Sequence, residues 1–475
     1  MVGLLLASAA RYGFHRDELY FIESAKHLAW GYVDNPPLTP LLGRLSRGIF
    51  GDSVFGLRVV PAVEAGLVVV AVAALARELG ARVAAQLLAA ILTATASFVL
   101  AIGHLLTTPT LDVLVTVLVV WCLLRMVRTG DQRWWLLVGI AVGIGLENKF
   151  TIAVSVIALV AGAVVTRSWR PLVSVWTLAG AAVAVAAWAP NLWWQARHGW
   201  TLLSFSRAIA RDQGADNRAR LIPFQLLVLG PPVAPVLVAG IRGLWRRPAW
   251  RSLRFLPVGY AILLVLLAVS GGKGYYAAGL VLPFAASGAI ATVEWMDRRR
   301  RALGHVLVAA AVVVNAAVGA IITLPVLPQR LVGGAIAGVN HDAAETIGWP
   351  TFADQVAAAV ATLPAADRST VVVLTANYGE AGAIDRYGPA RGIGPAYSGH
   401  NSYTTFRGPP STQGPVVAIG FDDLAHDVAL GDCTTIATIH TPAGIDNDEN
   451  GTRIWRCTGP TQPWSKLWPS LAHEG

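Results

Sequence analysis

Charge is scarce in this sequence. Only 14% of its 475 residues are Asp, Glu, Lys or Arg, against roughly 25% in an ordinary soluble domain, which excludes a chain wrapped entirely in water. Cysteine is scarce too: Cys122 lies inside an apolar run, and only Cys433 and Cys457 remain. A disulfide framework is therefore excluded, and one local bond is the most the sequence allows, in an oxidising compartment. The formal charge of +9 forms no single stripe, because the Arg residues fall in short clusters between apolar segments. That argues against a nucleic-acid face and for membrane topology. No internal repeat is visible.

What fills the gap is oil. Ala, Val and Leu dominate most of the first 325 positions, and 55% of the chain is hydrophobic, the composition of a polytopic helical membrane protein. Runs of spanning length, about 17 to 25 residues, fall near 55–76, 83–103, 107–127, 134–148, 150–166, 171–190, 221–241, 255–270, 275–293 and 303–325. The opening "MVGLLLASAA" is half a span and lacks the basic n-region of a signal peptide, so it reads as a truncated first helix. About eleven spans are expected.

Alternate loops hold Arg77 and Arg82; Arg125, Arg128 and Arg133; Arg167 and Arg170; Arg242 to Arg254; and Arg298 to Arg301. The positive-inside rule makes that side cytoplasmic. The other side then carries a long first loop, 11–54, and everything from 326 to 475. The expected organisation is a membrane domain over 1–325, including that loop, and an extracytoplasmic α/β domain over 326–475.

In the first loop, a helix opened by Asp17 and Glu18 carries Leu19, Ile22, Ala25 and Ala29. After "DNPP", Leu38, Leu41, Leu42, Leu45 and Ile49 mark a second helical stripe, and both helices are expected on the membrane surface. Beyond 326, "TFADQVAAAVATL" and "GEAGAIDRYG" read as helices. "STVVVLTA", "PVVAIGF", "CTTIATIH" and "TRIWRC" read as strands, the last two paired. "DNDENG" faintly resembles a calcium loop but lacks the remaining ligands, and reads as a polar hairpin turn.

Acids at a helix start are favoured by the exposed amides, which is the bland account of Asp17 and Glu18. A second carboxylate, Asp112, stands at the outer end of a membrane helix, where burying charge is costly and usually functional. Glu147 is near the same surface; Glu64 lies deeper and suits a bond to a neighbouring helix. Arg58, Lys149 and Lys273 gather at that level, with Tyr275 and Tyr276 in "GGKGYY". Snorkelling and interfacial anchoring account for each alone. Together they make a cationic patch suited to a lipid phosphate. His104, His198 and His400 are outside as well, and a lone His is more often structural.

The series "RDELYF", "DNPPLTP", "LRVVPA", "TLD", "GIGLENKFT", "PNLWWQARHGW" and "GGKGYYAAGLVLPF" resembles glycosyltransferase family 39, of the GT-C fold group. The C-terminal "ANYGEAGAIDRYG" and "YSGHNSYTTFRGPP" resemble the extracytoplasmic domain of bacterial members. The position before "PPL", often Lys in the aminoarabinose transferases of that family, is Asn35, so that grip on phosphate does not carry over.

The resemblance implies inverting transfer of a sugar from a polyprenyl-phosphate donor to a lipid, glycan or protein acceptor. The reaction would run at the outer face of the cytoplasmic membrane. Asp17 would be the general base, with Glu18 and Asp112 orienting the acceptor or holding a divalent metal. Arg58, Lys273, Tyr275 and Tyr276 would bind donor phosphate, with Lys149 and His198 as further candidates. No nucleic-acid partner is expected. A membrane transporter or lipid flippase is the rival class, and charged or broken helices at mid-membrane in repeated halves would mark it. A non-catalytic scaffold with a carbohydrate-binding outer domain is a third.

Overall fold

The computed structural model describes residues 1–298, 301–411, 414–422 and 428–474. Arg299 and Arg300, part of the last basic cluster, lie outside them. The chain separates into two compact units. One comprises Met1–Ala7, Asn35–Thr39 and Arg58–Leu324; the other comprises Ser8–Asp34, Pro40–Leu57 and Pro325–Gly475. Most of the first loop, drawn with the membrane domain on sequence grounds, thus falls in the unit of the C-terminal residues.

The first unit is a set of apolar helices. Among the described residues six are long and apolar enough to cross a membrane: Val54–Glu78, Thr108–Thr129, Val175–Arg197, Pro248–Ser270, Gly274–Arg298 and Ala302–Thr323. Two pairs bent by 57° and 76° add Val83–Ala94 with Ser97–His104, and Gly214–Leu229 with Pro231–Arg246. Two shorter apolar helices, Trp134–Leu146 and Thr151–Val165, complete the series. A helix of 7 residues, Val2–Ser8, precedes them.

Small residues bring these helices together. A methyl group on Gly139 would sit 2.1 Å from the Gly180 carbonyl oxygen, one on Gly162 2.6 Å from that of Phe255, and one on Gly288 2.1 Å from that of Val236. Between apolar helices in lipid, where no hydrophobic force favours association, such close backbone approach supplies the packing attraction. At the Arg-bearing ends, Arg125 and Arg128 both pair with Glu78, at 2.9 and 2.6 Å. Arg247 grips Glu294 with two bonds of 2.9 and 2.6 Å.

Each bent pair interrupts its own hydrogen-bond ladder, and a carbonyl freed inside a bilayer must find another donor. One residue serves both breaks. Asn315, buried in the helix Arg301–Thr323, donates through Nδ2 to the Thr95 and Leu229 carbonyls, each at 2.8 Å. Gly230 follows Leu229 at φ +111°, and a Cβ there would meet Asn315 Oδ1 at 1.9 Å. Glu64 does not make the interhelical bond expected of it: among the described residues it has no hydrogen-bond or ion-pair partner, although it is buried.

The second unit holds a five-stranded sheet. Its strands are β1 (Val372–Thr375), β2 (Ala396–Ser398), β3 (Val416–Ile419), β4 (Cys433–Thr438) and β5 (Arg453–Cys457). The spatial order is β2-β1-β3-β5-β4. The first three strands run parallel, and β5 joins antiparallel. Val372, Leu374, Val416 and Ala418, all fully buried, form the core with Trp464 and Leu467. Cys433 and Cys457 are register partners at the end of the β4–β5 pair and are disulfide-bonded.

The helices Trp349–Ala361 and Tyr378–Tyr387 match the two expected from the sequence. Strand β2, only three residues long, is too short to show in the sequence pattern. The helix opened by Asp17 and Glu18 is Arg16–Ser24, shorter than its apolar stripe, which runs on to Ala29. It stops because Ser24 Oγ bonds back to the Tyr20 carbonyl at 2.8 Å and Tyr32 Oη takes up the Ser24 carbonyl at 3.0 Å. The second stripe forms Leu38–Phe50, starting directly after Pro37.

Candidate active site

Two constellations of polar side chains stand out, one in each unit. In the membrane unit, the helix Thr108–Thr129 starts with Pro109 in its first turn, and Asp112 follows one turn on. Asp112 is buried, and its Oδ1 accepts from Thr151 Oγ1 at 2.8 Å. Thr151 opens the next short helix, so the "ENKFT" turn delivers both this hydroxyl and Lys149.

Lys149 Nζ donates to Thr108 Oγ1 at 3.2 Å and to Tyr275 Oη at 3.1 Å. It also sits 4.8 and 4.6 Å from the centroids of the Tyr275 and Tyr276 rings. Among the described residues no carboxylate lies within ion-pair distance of it. Its partners are neutral hydroxyls and ring faces, which steady an ammonium without cancelling its charge. Asn148 ties the turn down, donating to the Thr108 carbonyl at 2.9 Å and accepting from Thr39 at 2.6 Å.

Arg58, in the first turns of Val54–Glu78, is 1% exposed, and its Nη1 lies 3.1 Å from His104 Nε2. Since guanidinium only donates, that imidazole nitrogen accepts and the proton sits on Nδ1. Lys273, half-buried, precedes the short turn Gly274–Ala277 that carries Tyr275 and Tyr276. Gln225 and Asn217 hold that loop by its Gly274 and Gly271 carbonyls. His198 is exposed, stacked on Trp194 with ring centroids 3.9 Å apart, and bonded to the Trp194 carbonyl. Its contacts are local, and the structure brings it to none of the other candidates.

In the second unit, His15 caps the helix Arg16–Ser24. Its Nδ1 accepts from the Asp17 amide at 3.1 Å, while its own amide donates to Glu18 Oε2 at 2.8 Å, a reciprocal capping box. Glu18, fully buried, is thereby engaged in holding the helix start. Asp17 projects differently. It is half-buried, and its Oδ1 accepts from Tyr378 Oη at 2.8 Å.

Tyr378 reaches it because the helix Tyr378–Tyr387 packs closely on Arg16–Ser24. A Cβ on Gly382 would be 2.8 Å from that of Leu19, and one on Gly379 2.9 Å from that of Arg16. The Tyr378 ring lies between Tyr20 and His400, with the Arg16 guanidinium 5.3 Å from its centroid. Burial first, and the Asp17 charge second, hold its phenol well above the ordinary tyrosine range, so it remains a hydrogen-bond donor.

A third carboxylate, Asp34, joins this unit from "DNPP", a stretch whose sequence reads only as a turn. Its Oδ1 accepts from Tyr20 Oη at 2.5 Å. Burial raises its pKa to about 7; the Tyr20 bond opposes that rise, and the charge of Asp17 adds to it. Ser402 fixes the approach by accepting from the Val33 amide at 2.9 Å.

Glu18 and Asp112, the carboxylates expected to hold a metal, lie in different units, and each accepts a hydrogen bond within its own. His341, Glu345 and Asp448 bring three ligand atoms within 4.8 Å of one another, the last of them from the "DNDENG" turn. They pair with one another, while Glu345 Oε2 is buried without a hydrogen bond. His341 Nε2 lies 2.9 Å from Asp448 and 3.2 Å from Glu345, and Arg16 pairs with Asp448. Burial works against the charge on His341, but the Asp448 bond and the Glu345 charge more than offset it and raise its pKa.

Residues 34–194 match the family model described as dolichyl-phosphate-mannose-protein mannosyltransferase. That segment encloses Arg58, Asp112 and Lys149. The chain is similar in structure to ArnT from Cupriavidus metallidurans bound to undecaprenyl phosphate, with a TM-score of 0.61 at 15% identity, over 100% of this chain and 98% of that one. The chain has the fold of this membrane protein. The apo form of the same ArnT gives 0.60 at 15% identity, over 100% and 97% of the two chains. The arabinofuranosyltransferase AftD from Mycobacteria gives 0.51 at 14%, over 97% of this chain and 39% of AftD. No curated protein matches it by sequence.

Proposed function

We propose that this protein is a membrane glycosyltransferase that moves a sugar from a polyprenyl-phosphate donor to an acceptor at the outer face of the cytoplasmic membrane, with inversion at C1. The observation that carries this reading is Lys149: a half-buried ammonium at the end of a membrane helix, held by hydroxyls and tyrosine faces and by no carboxylate. The charge of Asp112 reaches it without ion-pair contact, which leaves the ammonium open to a further anion, and a phosphate joined to an apolar tail suits a site at a membrane surface. The match to the mannosyltransferase family over 34–194, and the undecaprenyl phosphate bound by ArnT, support the same donor class.

In the reaction the C1–O bond to phosphate breaks as the acceptor nucleophile bonds to C1 from the opposite face. The acceptor proton goes to Asp17, the general base. The electron pair of the broken bond stays on the phosphate, whose growing charge is met by Lys149, Lys273 and Arg58. Tyr378 holds the Asp17 carboxylate in one orientation, Glu18 fixes the helix that carries it, and Asp112 keeps the Lys149 turn in place through Thr151. In this reading the second unit lies outside, on the side opposite the Arg clusters, as the positive-inside rule supports.

Incubating the purified enzyme in lipid with a panel of polyprenyl-phosphate sugars, and detecting released polyprenyl phosphate, tests the reading. Release with at least one sugar is expected. Absence of release across the panel in folded protein, with and without candidate acceptors, would refute it.

A further inference from the structure

A cavity of about 370 Å³ opens in the membrane unit among the Arg-bearing ends of the helices Thr108–Thr129, Trp134–Leu146 and Thr151–Val165. We propose that it binds an anionic phospholipid, one acyl chain entering the cavity and the phosphate resting on Arg167 and Arg170. The proposal does not depend on the transfer reaction and concerns the opposite ends of these helices from Asp112 and Lys149.

The walls are Val119, Leu123, Met126, Val156 and Leu159, with Phe255 closing one side. They offer a sugar or a hydrated ion nothing to bond to, but they suit a hydrocarbon chain, and the volume is within the ~300–1,000 Å³ of ordinary ligand pockets. Polarity is confined largely to one end, where Arg167, Ser168 and Arg170 join Gln132. No carboxylate lines the cavity.

The charge of the two arginines points to an anion. Arg167 and Arg170 are exposed and, among the described residues, have no ion-pair partner, whereas Arg125, Arg128 and Arg247 are each matched by Glu78 or Glu294. Arg167 also takes a left-handed backbone, φ +56°, where glycine would be at ease. That conformation lets the Ser168 amide reach the Ala163 carbonyl at 2.8 Å, turning the chain back over the helix end. This is the usual closure of a helix end, and it sets Arg167 at the cavity. Basic pockets between membrane helices on the cytoplasmic side are suited to anionic headgroups.

The test compares phosphatidylglycerol with phosphatidylcholine of identical acyl chains, added to the delipidated full-length enzyme and read by native mass spectrometry. With each Arg near the surface contributing roughly a fivefold preference, the wild type is expected to retain phosphatidylglycerol about 10- to 30-fold better. An Arg167→Gln, Arg170→Gln double variant should bring the two lipids close to parity. Arg167→Lys, Arg170→Lys, which keeps the charge, should retain most of the preference and guards against a folding defect. Leu123→Trp should reduce retention of both lipids by filling the cavity.

Equal retention of the two lipids by the wild type would overturn the proposal. So would a preference unchanged by the Gln pair, or polyprenyl phosphate occupying the site where phosphatidylglycerol is not retained.

Discussion

Tyr378 donates its phenol hydrogen to Asp17, Oη to Oδ1 2.8 Å, across 361 positions of sequence. Tyr378→Phe deletes that donor and frees the Asp17 carboxylate to turn. A bond to a charged group is worth about 1.5–3 kcal/mol, so turnover at saturating donor is expected to fall by roughly tenfold or more. Turnover equal to that of the wild type would remove Tyr378 from the account.

Asp34 links pH to stability. Burial raises its folded pKa to about 7, well above the ~3.9 of an unfolded aspartate. Between these values the folded chain binds more protons than the unfolded one, so the contribution of Asp34 is full below about pH 4 and declines as pH rises through about 7. Asp34→Asn, which keeps an oxygen for Tyr20, should flatten this part of the profile. Melting curves at pH 5 and pH 8 should show a smaller fall for the variant than for the wild type. Equal falls would contradict the assignment.

Asn315 bridges two helix breaks, and Asn315→Leu would leave the Thr95 and Leu229 carbonyls without that donor. Hydrogen bonds between membrane helices are worth about 0.6–1.7 kcal/mol each, so a loss of about 1–3 kcal/mol is expected in reversible denaturation in detergent. Gly230→Ala should also destabilise, because the position combines a positive φ with a Cβ clash against the same side chain. Wild-type stability in both would refute the bridge.

Cys433 and Cys457 close a sequence separation of 24, worth about 3 kcal/mol by loop entropy. Denatured but unreduced protein should expose only Cys122 to alkylation, and reductant should add two thiols. Three reactive thiols without reductant would contradict the bond.

The membrane helices are legible in the sequence because hydrophobicity over a span needs no partner: each of the ten apolar runs overlaps an observed helix or bent pair. The bends are not, since their freed carbonyls are answered by Asn315, between 86 and 220 positions away. Lys149, Asp112, Tyr275 and Tyr276 stand out by their charge or place at helix ends, and the contacts of Lys149 with both tyrosines bring three of them together. Asp34 is hidden by its setting, because an Asp before Asn-Pro-Pro reads as turn chemistry. Tyr378 belongs to a helix whose sequence looks ordinary, and only the close approach at Gly382 places it on Asp17. Glu18 shows the reverse: the bland account of an acid at a helix start describes its observed bonds.

The most direct test of the account is Asp17→Asn, assayed at saturating lipid-linked donor. The substitution keeps size and shape and removes the proton-accepting carboxylate, so turnover should fall by about 100-fold or more while donor affinity changes little. Lys149→Ala should instead weaken donor affinity. Near-normal turnover in Asp17→Asn would contradict the assignment, and the carboxylate would then be no more than the acidic start of its helix.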